Sequence, residues 1–360
     1  MLKLPGLIDS HVHVRDPGQT HKEDWDTATQ AALAGGFTAI LAMPNTIPPI
    51  FDRDTLDLCL SAAKLKARCD YAQFLGAGPK NASAVAHLAT EVAGLKMYLN
   101  STFGELRLND KSLWIQHFEK IPQEMPIVLH AEGQTMIDAI LIAKTYEHPV
   151  HIAHVSLKEE ILAIKAAKER GIKVTCEVTP HHLFMTKSSP LPEGEGVGVR
   201  AGRQEVRPRL ASKEDVDALW DNLDVIDVFA TDHAPHTLAE KDGKNPPPGF
   251  PGLETALPLL LTAMNEGRLT LDDIVEKMHT NPKKIFNLPE QKETWVEVDE
   301  NASYELRASN MHSRCGWTPF EGMQVKGRVT RVVLRGKEAY KDGMVLAEKG
   351  SGLNLRRFEG

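Results

Sequence analysis

Six side chains stand at positions that suit metal chemistry. His11 and His13 alternate within Gly6-Leu7-Ile8-Asp9-Ser10-His11-Val12-His13-Val14. The run is apolar enough for a buried strand, and residues two apart on a strand share a face, so both imidazoles emerge together at its end. Two imidazoles side by side are half of a metal site. His130 and His154 close two later apolar runs, Lys96 lies inside Gly94-Leu95-Lys96-Met97-Tyr98, and Asp232 follows a further run. Four histidines and an aspartate are too many ligands for one tetrahedral ion with an open position, and about right for two zinc ions. Two ions need a bridging anion. Lys96 has apolar neighbours and would sit beside positive charge, which lowers an amine's pKa. A neutral lysine amine adds carbon dioxide to form a carbamate, and the two oxygens of a carbamate can join two metals. Arg15 shares the parity of the histidines and lies just past their strand, where a guanidinium can grip a carboxylate through two parallel hydrogen bonds. Each residue alone has a plainer explanation, as a hydrogen-bonded histidine or a lysine reaching solvent. Their order on successive strands is what joins them.

Those strands must converge for the chemistry to exist. Apolar runs beginning at Gly6 and spanning 38–43, 71–76, 94–98, 127–131, 150–154, 173–178 and 225–231 alternate with helical patterns at 22–34, 52–68, 82–92, 110–120, 134–146, 158–170 and 213–222. Strand–helix alternation of this kind predicts an α/β fold, a (β/α)8 TIM barrel in which all strand C-termini face one pocket. No Gly-x-Gly-x-x-Gly turn follows an early strand, so a dinucleotide fold has no support. Segments 188–206 and 241–252, rich in Gly, Pro and charge, fall on the functional rim. Helical patterns at 253–265, 271–279 and 282–286 close the barrel. Residues 1–287 are therefore expected to form it, and 288–360 a small β-rich C-terminal extension that includes a strand at 327–335.

Composition narrows the partners. The 360 residues carry a net charge of −7 with Lys and Arg scattered, which argues against nucleic acid or an anionic membrane and for a small molecule. No apolar run approaches the roughly 20 residues of a membrane helix. Cys59, Cys69, Cys176 and Cys315 show no paired spacing, so a cytoplasmic, reducing location is expected. The chain opens almost on its first barrel strand, which predicts a domain of a longer polypeptide.

Five longer motifs carry a resemblance. The first is Gly-Leu-Ile-Asp-x-His-Val-His-x-Arg-Asp-Pro-Gly from Gly6, followed by Ala42-Met43-Pro44-Asn45-Thr46 and Thr231-Asp232-His233-Ala234-Pro235-His236. Gly249-Phe250-Pro251-Gly252-Leu253-Glu254 and Thr318-Pro319-Phe320-Glu321-Gly322 complete the set. Together they resemble the dihydroorotases of the binuclear amidohydrolase superfamily, above all the dihydroorotase domain of multifunctional animal pyrimidine-biosynthesis proteins. The match runs from Leu4 to about Leu288.

The resemblance implies roles position by position. His11, His13 and Asp232 would hold one zinc, His130 and His154 a second, and carboxylated Lys96 would bridge them. Arg15, Asn45 and His236 would bind the substrate's free carboxylate, with Arg207 as a further contact. Segment 100–104 resembles a covering loop, in which Thr102 would hydrogen-bond substrate and Phe103 exclude water. Glu177 is the preferred extra ligand, for a third zinc, ahead of His181 or His182; Cys176, of opposite strand parity, is expected to pack in the core. The implied reaction is the reversible closure of N-carbamoyl-L-aspartate to L-dihydroorotate and water, a step of de novo pyrimidine (UMP) biosynthesis. A hydroxide between the metals would attack, and Asp232 would serve as general acid and base. A homodimer, and other pyrimidine-pathway domains in the full-length chain, are expected on the same ground.

Three rivals remain on the sequence. A dihydropyrimidinase or hydantoinase shares the metal set, but its simplest substrates lack the carboxylate that Arg15, Asn45 and His236 would serve. A catalytically inactive scaffold domain can lose ligands, whereas this chain keeps them all. A mononuclear deaminase would not require Lys96.

Overall fold

After an edge strand at Leu2–Pro5 (β1), the strands Leu7–Val12 (β2), Phe37–Ala42 (β3), Asp70–Gly76 (β4) and Gly94–Tyr98 (β5) are buried along their whole length. A strand covered on both faces needs a nearly continuous apolar run, and such strands belong to a parallel sheet under helices. The computed structural model, which describes residues 1–101, 106–189 and 201–357, continues the series with Ile127–His130 (β6), Val150–Ile152 (β7), Val174–Val178 (β8) and Val228–Phe229 (β9). These eight run β2 to β9 in space, all neighbours parallel. The ring closes where Val12 bridges His233 and the His13 N–H donates to the His233 carbonyl at 2.8 Å. The expected (β/α)8 barrel is present.

Its details depart from the expected lengths for local reasons. The first helix spans Trp25–Ala34 rather than starting at Lys22, because Asp24 caps it: its carboxylate accepts from the Thr27 N–H, and Thr27 Oγ1 returns the bond. Lys22 therefore stays in the rim loop. The helix expected at 82–92 ends at His87, since the chain must reverse to enter β5. Strands β7 and β9 stop short of His154 and Asp232, both of which sit in left-handed backbone, with φ of 39° and 45°. The chain turns there, at the end of the strand, toward the pocket.

A second, antiparallel sheet comprises β1, Trp295–Glu305 (β10), Gln324–Leu334 (β11), Lys337–Lys341 (β12) and Met344–Val345 (β13), in that spatial order. Leu2 stands opposite Val298, so this sheet draws on both ends of the chain. Burial alternates along β11, the mark of a sheet with one covered face. The helix Ala256–Asn265 lies against it at Gly327, whose φ is 90° and where a Cβ would come 2.5 Å from Leu261 Cδ1. Among the described residues, no helix is long and apolar enough to cross a membrane.

One buried carboxylate ties the first barrel strand to the last. Asp9 accepts from the His11 N–H at 3.1 Å, the Thr231 N–H at 3.1 Å and Thr231 Oγ1 at 2.5 Å. Burial pushes its pKa up to about 7, against the pull of those three donors. Asp9→Ala strands two backbone N–H groups and a hydroxyl inside the core, so the variant should lose about 3 kcal/mol of stability. The shift in the urea unfolding midpoint checks this, and an unchanged midpoint would remove Asp9 from the closure.

Candidate metal centre and the pocket around it

His11 and His13 end β2 with ring centroids 5.3 Å apart. Their Nε2 atoms lie 3.3 Å and 3.1 Å from Asp232 Oδ1. One ligand atom from each of the three residues falls within 4.8 Å of the others, and all three residues are buried. The far sides of the rings explain the orientation. His11 Nδ1 meets Glu177 Oε1, and His13 Nδ1 meets Asn45 Oδ1 at 2.6 Å. A carboxylate and an amide oxygen accept, so each Nδ1 carries the ring proton and each Nε2 keeps its lone pair. Two imidazole lone pairs and a carboxylate oxygen then face one point. That arrangement repels itself unless a cation lies between the three, which is the fit expected of a metal site.

Glu177 stands behind this cluster. Its Oε2 accepts from Ser10 Oγ at 3.2 Å and His151 Nε2 at 3.1 Å. Although burial pushes the other way, His11 and His151 hold its carboxyl well below the usual range. Both oxygens are thus turned to protein donors. Through its bond to Nδ1, Glu177 stands where it orients His11.

The second pair sits beside the first. The His11 and His154 ring centroids are 5.3 Å apart, and His130 Nδ1 faces His154 Nε2 at 2.8 Å. Burial, followed for His130 by Lys96 and for His154 by His130, holds both well below the usual imidazole range. Both are neutral, the form that binds metal. Lys96, fully buried in β5, has no hydrogen-bond partner for Nζ among the described residues. Burial lowers its pKa to about 8, against the pull of Glu177 and Asp232. An orphaned buried amine flanked by two histidine pairs is costly as it stands. It fits a residue whose nitrogen is meant to carry a bridging group. Burial also raises the Asp232 carboxyl, against the pull of His11 and Lys96, so this group can hold a proton more readily than an exposed aspartate.

The carboxylate-binding candidates gather on the His13 side. Arg15 is buried, with φ of 66°; its Nε donates to the Pro235 carbonyl at 3.1 Å, and Nη2 lies 3.1 Å from His236 Nε2. Burial lowers its pKa to about 10, a range in which the guanidinium stays charged at neutral pH. Asn45 adjoins the set through its bond to His13. Arg207 is placed apart, paired with Glu205 and bonded to the Val206 carbonyl at 3.0 Å. With Asn100, Glu132 and Arg209 it lines a cavity of about 420 Å³. Glu132 Oε1 lies 3.7 Å from His130 Nε2, so that cavity adjoins the second histidine pair. Thr102 and Phe103 lie outside the described residues.

Of the remaining candidates, His182 and Cys176 hydrogen-bond to protein atoms, whereas His181 Nε2 is buried with no hydrogen-bond partner among the described residues. His182 uses both nitrogens, Nδ1 with Thr179 Oγ1 at 2.8 Å and Nε2 with the Pro208 carbonyl at 3.1 Å. His181 packs its ring edge-on against Phe250, centroids 5.2 Å apart. The Cys176 thiol is buried near the Val225 carbonyl, at 3.5 Å, and burial pushes its pKa up to about 12. Sequence reasoning missed Ser10, Lys22, His151 and Lys241. Ser10 and Lys22 lie inside or just after the first motif, so their position was the available signal. Nothing in the sequence marks His151 or Lys241.

Glu177→Gln keeps the shape but gives His11 a weaker acceptor. Metal affinity should fall by about 10- to 100-fold, the usual cost of losing a residue that orients a ligand, as read by competition with a chromophoric chelator. Unchanged affinity would mean that His11 needs no such support.

Comparisons with known proteins agree with this geometry. Residues 2–339 match the model of the amidohydrolase family. The chain is 54% identical, over 99% of its length, to the multifunctional protein CAD of Squalus acanthias. It spans 16% of that relative's length. It is 38% identical to the dihydroorotase of Pyrococcus furiosus, covering 96% of this chain and 83% of that one. Among solved structures, the L-hydantoinase (dihydropyrimidinase) of Arthrobacter aurescens superposes with a TM-score of 0.91 at 25% identity, covering 99% of this chain and 89% of that one. An inactive dihydroorotase-like domain from a CAD-like multifunctional protein of Chaetomium thermophilum gives 0.83 at 30% identity, covering 98% and 99%. The chain belongs to the amidohydrolase family, among the dihydroorotases.

Proposed function

We propose that this domain is an active zinc-dependent dihydroorotase, interconverting N-carbamoyl-L-aspartate and L-dihydroorotate. The observation that carries the reading is the buried Arg15 guanidinium beside His236, on the His13 side of the ligand cluster. A neutral ring such as dihydrouracil gives that cation no anion to bind. The substrate's free carboxylate does, and the resemblance assigns it to Arg15, Asn45 and His236.

His11, His13 and Asp232 would hold one zinc and His130 and His154 another, with Lys96 carrying a bridging carbamate between them. Bound zinc would supply an activated water and a Lewis acid for the amide carbonyl. The chain's own residues do the rest. Arg15, Asn45 and His236 fix the ring by its carboxylate, and Arg207 provides a further contact from the His130 side. Asp232 takes the proton from the carbamoyl nitrogen on closure and returns it to the ring nitrogen on opening. With both Glu177 oxygens turned to protein donors, two zinc ions rather than three are our reading.

The inactive relative raises the scaffold alternative. Against it we weigh six candidate metal-site side chains, all of them buried, with His11, His13 and Asp232 clustered and His130 beside His154. We further propose that the domain works within a longer pyrimidine-pathway polypeptide in the cytosol, where four buried unpaired cysteines are at home. A homodimer rests on the resemblance alone.

The direct test is turnover of dihydroorotate and carbamoyl aspartate by the purified protein, with and without chelator, alongside dihydrouracil and hydantoin. Chelator-sensitive turnover of dihydroorotate alone supports the reading. Turnover of the uncharged rings alone would make the protein a hydantoinase-type enzyme, and none despite full zinc loading would make it a scaffold. Asp232→Asn should abolish nearly all turnover while the fold persists by circular dichroism. Arg15→Ala should raise KM at least about tenfold, the cost of losing one charge-assisted contact; an unchanged KM would place the carboxylate elsewhere.

A further inference from the structure

Two segments of the rim converge on one buried cation. Lys241 ends the short helix Leu238–Lys241 and is fully buried, although Glu240-Lys241-Asp242 reads as a solvated stretch of chain. Its Nζ donates to the carbonyls of Glu205 at 2.6 Å, Pro247 at 2.9 Å and Gly249 at 3.2 Å. Three carbonyl oxygens facing one point repel each other unless a cation lies between them. An ammonium has three protons and no lone pair, so these acceptors use it completely, whereas a neutral amine would turn a lone pair on one of them. Burial lowers its pKa to about 7, against the charge of Glu205. The rings of Phe250 and Trp317 flank the nitrogen, with centroids 5.4 Å and 5.5 Å away.

The partners of Lys241 border residues that the dihydroorotase reading places at the substrate. Pro247 and Gly249 hold both sides of Pro248, whose carbonyl accepts from His236 Nε2 at 3.0 Å. Glu205 precedes Arg207 by two residues, and its carbonyl also takes the Gly249 N–H at 3.0 Å. From the other side of the same nitrogen, Trp317 Nε1 donates to the His236 carbonyl at 2.7 Å. Resting on that reading, we propose that Lys241 is a positioning residue, whose ammonium draws segments 205–207 and 247–249 onto one point and so sets where His236 and Arg207 stand toward the substrate. Its donors are spent on backbone. Lys241 acts through the residues that do the binding.

The zinc-loaded protein and its Lys241→Met, Lys241→Arg and Arg203→Gln variants test this, assayed at about pH 6, where the parent's ammonium prevails. Lys241→Met should raise KM for dihydroorotate and carbamoyl aspartate at least about tenfold, as displaced substrate contacts do, with kcat within about threefold. Lys241→Arg keeps the charge but spreads its donors over a plane, so KM should still rise by about threefold or more; it carries the test if Lys241→Met does not fold. Arg203 ties the same stretch of rim to Asp242 through two bonds of 2.7 Å. Arg203→Gln weakens that tie without touching the three carbonyls, and should leave KM near that of the parent. An equal rise in Arg203→Gln would mean that any tether of the rim suffices and overturn the proposal, as would an unchanged KM in either Lys241 variant. Crystal structures give a readout independent of turnover. In the Lys241 variants the Pro248 carbonyl should leave His236 Nε2 and the Glu205–Gly249 bond should open, while His11, His13 and Asp232 keep their places. Carbonyls that stay where they are would overturn the assignment. Should the parent fail to turn over dihydroorotate, the dihydroorotase reading falls on that result alone, while the crystal structures still decide whether Lys241 sets the rim.

Discussion

The site depends on a seam. A barrel of eight parallel strands brings its ligands together only if the last strand meets the first, and here the last is two residues long by its hydrogen bonds. The closure is completed by side chains and single backbone bonds. Asp9 gathers the backbone of His11 and both donors of Thr231 on one carboxylate, while the backbones of His13 and His233 pair directly. His11, His13 and Asp232 are the residues next to those anchors. The same contacts that shut the barrel therefore set where three ligand atoms point.

The electrostatic consequence is a centre built for positive charge. Glu177 and Asn45 take the Nδ1 protons of the first pair of histidines, leaving lone pairs toward Asp232. Burial holds His130 and His154 well below the usual imidazole range and lowers the pKa of Lys96 to about 8, so its amine gives up a proton more readily than an exposed lysine. A pocket that has stripped its own bases of protons, and turned them inward, gains stability from whatever cation it accepts. Beyond His13 the pattern inverts, and Arg15 and Lys22 offer positive charge around a neutral His236. Placed next to each other, the two regions suit a ligand whose reacting amide meets the first and whose carboxylate meets the second.

Most of the barrel and the candidate metal-site side chains were legible in the sequence because each lies in or just past an apolar run, whose period of two fixes which face a residue takes. His11, His13, Lys96, His130, His154 and Asp232 all obey that rule. Glu177 obeys it too, yet its role turns on which atoms its two oxygens reach, and that is set by Ser10 and His151 on other strands. For Lys22 the only signal was its place just after the first motif. Read as the first residue of a helix, it gives no sign of its contacts with His236 and Glu240, more than two hundred residues later. The strand at Leu2–Pro5 likewise has no local sign of its partner, since Val298 lies at the opposite end of the chain.

The likeness to a hydantoinase and to an inactive dihydroorotase-like domain shows that this fold outlives any one chemistry. On our reading, activity in this domain depends on a pair of ions and the group that joins them. Anomalous diffraction at the zinc edge, from crystals grown with zinc and bicarbonate, tests that most directly. Two peaks, one among His11, His13 and Asp232 and one between His130 and His154, with density extending from Lys96 Nζ to both, are the predicted result. A single peak, or two peaks beside an unmodified Lys96, would contradict the account.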